Sequence, residues 1–369
     1  MPWSHSGVQL KRTWPIGPSA EVVGARWEAL LDFDDQKVAL SSTDARNPEA
    51  TPTSLLTTGR LAAISSLKPG SQPEAIAHYG YRSFDRQWLI QDNRLMDRPR
   101  PELWRVRGPH QIYLATLTST PLGQGPVLTA TPYVPDLHHF RGSYGAKDIF
   151  PLWTDAGAKE ANLAPTLLHT LIGILGEGIG PNELVQYFYG LGGTSAFSER
   201  FAGELALTAG PVHLPITKDR TLFDEVAALG KELLAWQTWG ERYTDAPLSI
   251  GKAAELTTIT GRPEAFGYDA KTETLTVGPG KIAPVSPEVW DFEVSGSKPL
   301  QKWLGYRKAQ RAGRTSSPLD AITYDEWTFT DELLLVINVL QHTVDLTPGA
   351  AVLLDRVLLS EIFTAEELS

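Results

Sequence analysis

Apolar positions change their period part-way along this chain. After a turn-rich opening (Pro2, Gly7, Pro15, Gly17, Pro18) with Trp3 and Trp14 as anchors, Ser19 precedes Val22, Val23, Trp27, Leu30 and Leu31. Their spacing puts them on one helical face behind a capping hydroxyl, so a helix over 20–31 is predicted. Residues 41–54 are rich in Ser, Thr, Asn and Pro and read as a loop, with a second short helix over 55–66. From 78 to 140 the apolar residues come in short runs broken by Pro and Gly, the pattern of strands: 87–90, 111–118, 127–131 and 137–140.

From about residue 164 the period becomes helical. The apolar run 166–175 is broken by Gly176, Gly178 and Gly180, and Pro181 with Asn182 opens a helix through 189. Ser195 begins another, with Phe197, Phe201 and Leu205 on one face. Thr221 followed by Asp224 looks like a capping box for a long amphipathic helix with Leu222, Val226, Leu229, Leu233 and Trp236 as its buried stripe. A hairpin is predicted at 266–277, a helix at 298–310, and two closing apolar helices at 331–344 and 350–363. There is no internal repeat and no long linker. The expected fold is therefore α+β: a β-rich part over 1–160 packed with a helix-rich part over 161–369.

Composition adds exclusions. At 369 residues, 42% hydrophobic and 21% charged, with eleven Trp, eleven Tyr and twelve Phe, the chain has ample material for a core. It has no cysteine, which removes disulfides, thiolate metal sites and a Cys nucleophile. No run of eighteen apolar residues and no basic segment leading into an apolar one is present, so a soluble cytoplasmic protein without a membrane partner is expected.

Charge changes the picture most. The net charge is −10, yet residues 298–314 hold six cations (Lys298, Lys302, Arg307, Lys308, Arg311, Arg314) and no acid, interleaved with Trp303 and Tyr306. Residues 82–107 hold seven arginines against four acids, among them Arg82, Arg86, Arg98, Arg100, Arg105 and Arg107. Arginine forks onto guanine edges or phosphates, and a basic strip with aromatics suits a polyanion. The plainer alternatives are a solvated helix face for the strip and a local Arg–Asp network for the cluster. From 320 to 369, ten acids face the single cation Arg356, an acidic end expected to point away from phosphate.

Catalytic signatures are missing. There is no HExxH, and His138 and His139 are adjacent, so on a strand they would face opposite ways. Gly278-Pro279-Gly280-Lys281 is followed by Ile282 where a phosphate loop needs Ser or Thr. The glycines at 173, 176, 178 and 180 fail the GxGxxG spacing, and no G-x-S-x-G elbow occurs. Neither an amino-methyltransferase tetrapeptide nor a nuclease acidic set is found; Asp35-Gln36-Lys37 lacks an upstream partner. No catalytic or metal-binding residue is assigned.

Taken in order, the remaining motifs resemble the C-terminal specificity region of type ISP restriction–modification enzymes and related long adenine methyltransferases. They are Tyr81-Arg82-Ser83-Phe84-Asp85 with Trp88, Asp97-Arg98-Pro99-Arg100, and Phe150-Pro151-Leu152-Trp153. Then come Tyr187 and Tyr189 with Phe197-Ser198-Glu199-Arg200-Phe201-Ala202, Leu222-Phe223 with Leu229-Gly230, and Pro287-Glu288-Val289-Trp290 leading into 300–308. Two departures are Ser83 in place of Pro, and Pro211-Val212-His213-Leu214-Pro215 where the family tends to F-P-R-I-P. The resemblance implies a target-recognition module for double-stranded DNA in a bacterial cytoplasm, working beside a methyltransferase domain or subunit. It implies no cofactor in this chain, S-adenosylmethionine being expected only for that methyltransferase. The rival expectation is a coupling module that docks on a partner domain without reading bases.

Overall fold

The computed structural model describes residues 1–40, 47–142, 148–207, 209–244, 247–249, 251–309 and 317–368. A short strand β1 (Ile16–Gly17) leads into α1 (Ala20–Asp32), whose cap is Ser19: its Oγ accepts the Val22 N–H at 3.2 Å. Helix α2 (Gln36–Leu40) follows. Strands β2 (Ala75–Arg82) and β3 (Asp85–Gln91) form a hairpin, and β1 pairs with the other edge of β3. α1 packs on this sheet through Val23, Trp27 and Leu30, which share a small cluster with Trp14, Ile90, Leu95 and Leu319. The Arg26 guanidinium is buried there and donates to three carbonyls, Trp14 O (3.0 Å), Ile16 O (2.9 Å) and Ile322 O (2.8 Å), so its desolvated N–H groups are satisfied.

Two expectations fail in this half for the same reason. The helix over 55–66 shrinks to a 3₁₀ turn at Ile64–Ser66. Ser54 Oγ takes the N–H groups of Leu56 and Thr57 (both 2.9 Å), and Leu61 N–H bonds Pro52 O, so local hydroxyl bonding replaces the helical ladder. The run 137–140 is a turn, because Asp136 Oδ1 captures the His138 N–H at 2.8 Å. After the short helix α3 (Pro101–Arg105), strands β4 (Tyr113–Thr116), β5 (Thr129–Thr131) and β6 (Asp148–Pro151) form a second sheet in the order β5-β4-β6. The expected strands over 111–118 and 127–131 are thus present but shorter, while β6 was not anticipated.

The helical half begins with α4 (Pro165–Leu175), stopped at Gly176 in left-handed backbone (φ 91°). Helix α5 (Pro181–Gly192) is followed by α6 (Ala196–Arg200), α7 (Ala202–Leu207) and the long α8 (Arg220–Gln237). The cap of α8 is Asp219, accepting Leu222 N–H at 3.1 Å, rather than Thr221. Its predicted stripe is buried except for half-buried Leu229. α5 and α8 cross at Gly190 and Gly230, where backbone meets backbone: a Cβ on Gly230 would lie 1.7 Å from Gln186 O.

A third sheet, β7-β10-β9-β8, contains the predicted hairpin as β8 (Phe266–Asp269) and β9 (Thr274–Val277), with β7 (Ala254–Thr257) and β10 (Gly280–Ala283) beside it. Short α9 (Pro287–Trp290) precedes α10 (Pro299–Arg307) and α11 (Thr330–Leu359). The two closing helices expected are one: α11 runs unbroken through Pro348. Proline removes one N–H, but the turns before it stay closed, with Thr343 and Thr347 hydroxyls bonded to the carbonyls four residues back (2.8 and 2.9 Å). The apolar residues on both sides of Pro348 hold the same face in the core. The fold is α+β as expected, and its largest core cluster runs continuously from Val8 to Phe363.

Candidate nucleic-acid interface

The two basic stretches singled out by the sequence meet in space, but in the interior. α10 lies against the tip of the β2–β3 hairpin: Tyr306 packs edge-on against Tyr81 at 5.0 Å, and nearby Phe84 meets Phe292 at 5.3 Å. Between them Arg307, with a fully buried side chain, bonds Asp85 Oδ1 and Arg86 O, each at 3.0 Å. It approaches Glu332 on α11 at 3.4 Å and lies 3.9 Å above the Trp303 ring. Every element here has a reason to be held: β2–β3, α10 and the start of α11 share one charge centre. Burial, ahead of its charged neighbours, pushes the Glu332 carboxyl above the ordinary range.

Arg82 is likewise internal. Its Nη1 bonds Asp136 Oδ1 at 2.7 Å and Tyr81 O at 2.5 Å, and its guanidinium stacks 3.8 Å over the Tyr81 ring. Arg86 donates to Tyr133 Oη (3.1 Å) and Glu241 Oε1 (3.3 Å) and faces Trp239. Burial lowers its pKa. For Arg82 and Arg307 the expectation of a DNA contact is therefore corrected. Taking either guanidinium out to a phosphate would strand a buried carboxylate, which is far more expensive than a surface contact is favourable. The hairpin charges of 82–107 are paired, as the alternative held, but through distant partners rather than local ones: Arg82 with Asp136, Asp85 with Arg307 and Arg86 with Glu241.

Other cations remain at the surface. Arg98, Arg105 and Arg107 are exposed, and Arg107 donates to Gln91 Oε1 at 2.6 Å. Arg100, half-buried, precedes α3 in left-handed backbone (φ 53°, ψ 62°). Lys302 is exposed on α10 and Lys308, just past its end, is half-buried, while Lys298 pairs with Asp291 at 2.6 Å. Arg311 and Arg314 lie outside the described residues. Two neighbours escaped the sequence reading. Arg262 reaches the Ala309 carbonyl at the end of α10 (3.4 Å), and Lys11 adjoins the 97–100 loop through Asp97 (3.0 Å). Only a three-dimensional pairing brings these isolated cations to the clusters, so no local pattern announces them.

Two histidines near the hairpin are packing groups. His139 is buried with Nδ1 donating to Gly80 O at 2.9 Å, and burial holds its pKa down to about 4. His78 packs at a tilt against Trp88, ring centres 4.1 Å apart, and is likewise lowered to about 4, by burial and then by Arg86. Among the described residues no three His, Asp or Glu side chains are grouped to hold a metal ion, and no helix is long and apolar enough to cross a membrane.

Internal Arg–carboxylate pairs thus hold the hairpin, while Arg98, Arg105, Arg107 and Lys302 stay exposed. Residues 1–336 match the family described as the Type ISP C-terminal specificity domain, and the chain belongs to that family. Nothing among curated proteins matches it. Among solved structures, 98% of the chain is similar to part of the ATP-dependent Type ISP restriction–modification enzyme LlaBIII bound to DNA, with a TM-score of 0.61 and 17% identity, covering 23% of that chain. A DrdV–DNA complex is similar over 96% of this chain and 35% of its own, at a TM-score of 0.61 and 15% identity. A nuclease-deletion mutant of the Type ISP enzyme LlaGI with a DNA substrate mimic gives 94%, 27%, 0.53 and 15%. At these identities the likeness is one of fold, and the chain spans 23–35% of those chains.

Proposed function

We propose that this chain is a DNA-specificity module that binds a particular sequence of double-stranded DNA and positions a separate methyltransferase domain or subunit on it. The observation that carries the reading is membership of the specificity-domain family over residues 1–336, joined to a fold shared along nearly the whole chain with DNA-bound restriction enzymes. The module itself carries out no chemistry and holds no cofactor. S-adenosylmethionine belongs to the methyltransferase, and the pair works in the bacterial cytoplasm. Phosphate contacts from the exposed Arg98, Arg105, Arg107 and Lys302 and the half-buried Arg100 and Lys308 fix the register, and loop side chains read base edges. Each good bidentate base contact contributes about 1–3 kcal/mol of discrimination.

A docking role is supported by a different observation. α4 is apolar on nearly every side, yet Ile172 and Ile174 are exposed on it, as a face covered by a partner domain would be. The two roles are compatible in one module. Incubating the purified chain with a randomised duplex pool at two salt concentrations, and sequencing the retained DNA, tests the first. Enrichment of one short motif is expected. Retention without enrichment leaves a backbone binder, and no retention at low salt refutes autonomous recognition.

A further inference from the structure

Away from the braces, one corner collects cations from segments almost ninety positions apart. Gln9 and Arg98 exchange backbone hydrogen bonds (3.0 and 2.9 Å) as an isolated antiparallel bridge. This pairing sets the turn at Lys11 beside the 97–100 loop, where Lys11 Nζ meets Asp97 Oδ2 at 3.0 Å. Both turns hold their cation in left-handed backbone, Lys11 at φ 55° and Arg100 at φ 53°, a conformation that residues with a Cβ occupy only when their surroundings impose it.

The electrostatics of the corner are also unresolved by the fold itself. Arg98 is exposed and makes no ion pair among the described residues. It stands close enough to Arg100 for the two positive charges to oppose each other. Arg100 Nε is shielded from solvent and has no acceptor among the described residues. The other nearby acid, Glu102, also faces His5 at 3.6 Å. The repulsion would be relieved by a single tetrahedral anion lying against the two guanidinium groups.

We infer that Arg98 and Arg100, with Lys11 at their side, form a clamp for one backbone phosphate of duplex DNA. The inference rests on the DNA-recognition reading above and gives the corner a positioning role, without base selectivity. The test uses the full chain, wild type and the double variant Arg98→Ala/Arg100→Gly, with the single variant Arg100→Gly as a folding control. Glycine accepts the left-handed backbone, so the control keeps or raises the melting temperature. Binding to a 30-bp duplex is followed by fluorescence anisotropy between 50 and 200 mM salt, with the selected motif and with scrambled sequence.

In the double variant the slope of log K against log salt is expected to fall by about 0.9 for the lost phosphate. Affinity should fall by the same factor for both duplexes. Normal wild-type binding with an unchanged slope in the double variant overturns the clamp while leaving DNA recognition standing. A larger loss on the selected motif than on the scrambled one overturns the phosphate assignment in favour of base reading. Absence of salt-dependent binding by the wild type overturns the recognition reading and the clamp with it.

Discussion

Replacing Arg307 by Met separates a brace from a ligand contact. Methionine keeps most of the apolar stem over Trp303, so little cavity opens, but the positive charge disappears from a site with no solvent exposure. Asp85, itself 3% exposed, is left with Gln87 Nε2 at 3.1 Å as a side-chain donor, and the Arg86 carbonyl loses its 3.0 Å bond from Arg307. Removing one member of a buried pair generally destabilises by about 3–5 kcal/mol, and about 4 kcal/mol is expected here. Against a typical total of about 5–15 kcal/mol, that is a large fraction. With a urea m-value of about 3 kcal/mol/M it lowers the midpoint by more than about 1 M. The assay is urea unfolding followed by tryptophan fluorescence. The triple variant Arg307→Met/Asp85→Asn/Glu332→Gln neutralises the stranded acids and should recover part of the loss. A loss below about 1 kcal/mol for Arg307→Met, or a triple variant no better than the single, refutes the reasoning. DNA binding supplies the second readout. Under folded conditions the single variant keeps the wild-type salt slope, and a reduced slope would return Arg307 to the surface role first given to it.

The remaining predictions concern acid and packing. His139 has a folded pKa of about 4 against an ordinary value near 6.5, so between those values the unfolded chain binds more protons. Stability therefore falls as pH drops from 6.5 to 4, by up to about 3 kcal/mol. Denaturation series across that window should show a shallower pH dependence for His139→Asn than for wild type, and parallel curves would refute the assignment. Gly230→Ala forces a methyl group to 1.7 Å from the Gln186 carbonyl; a loss of about 3 kcal/mol is expected. Gly173→Ala on α4 meets open space and should instead gain up to about 1 kcal/mol; equal effects of the two in thermal unfolding would show that the helix crossing is not close-packed.

Sequence pattern captured those elements whose signal is local. Ser19 and the 3.6-residue spacing behind it marked α1, and alternating residues around a tight turn marked the β8–β9 hairpin. Boundaries went astray where a side chain competed for backbone groups: Ser54 dissolved a helix, Asp136 a strand, and Asp219 displaced Thr221 as a cap. The two closing helices, predicted apart over 331–344 and 350–363, are one, since a long helix with a buried face absorbs the hydrogen bond that Pro348 lacks. The site was half legible. The basic stretches were visible as charge, but charge in a sequence does not say whether it faces solvent. Arg307 and Lys302 look alike in the strip, and the difference lies in Asp85 and Glu332, which only the fold brings near. Lys11 and Arg262 were invisible for the mirror-image reason.

The brace also dictates an order of events during synthesis. Asp85 and Arg307 are separated by 222 positions, so at about 5–20 residues per second the hairpin waits roughly 10–40 seconds for its cation to be made. Until then Asp85 has no reason to leave water, and the face that α10 covers stays open. The tip has earlier partners, since Ser83 bonds Thr129 Oγ1 (2.9 Å) and the carbonyls of His139 (2.7 Å) and Phe140 (2.8 Å), but the Asp85 charge is met only once residue 307 has been made. The charge balance of the hairpin is therefore a report from the far end of the chain: a polypeptide broken off before α10 would carry the strands and leave Asp85 without its cation.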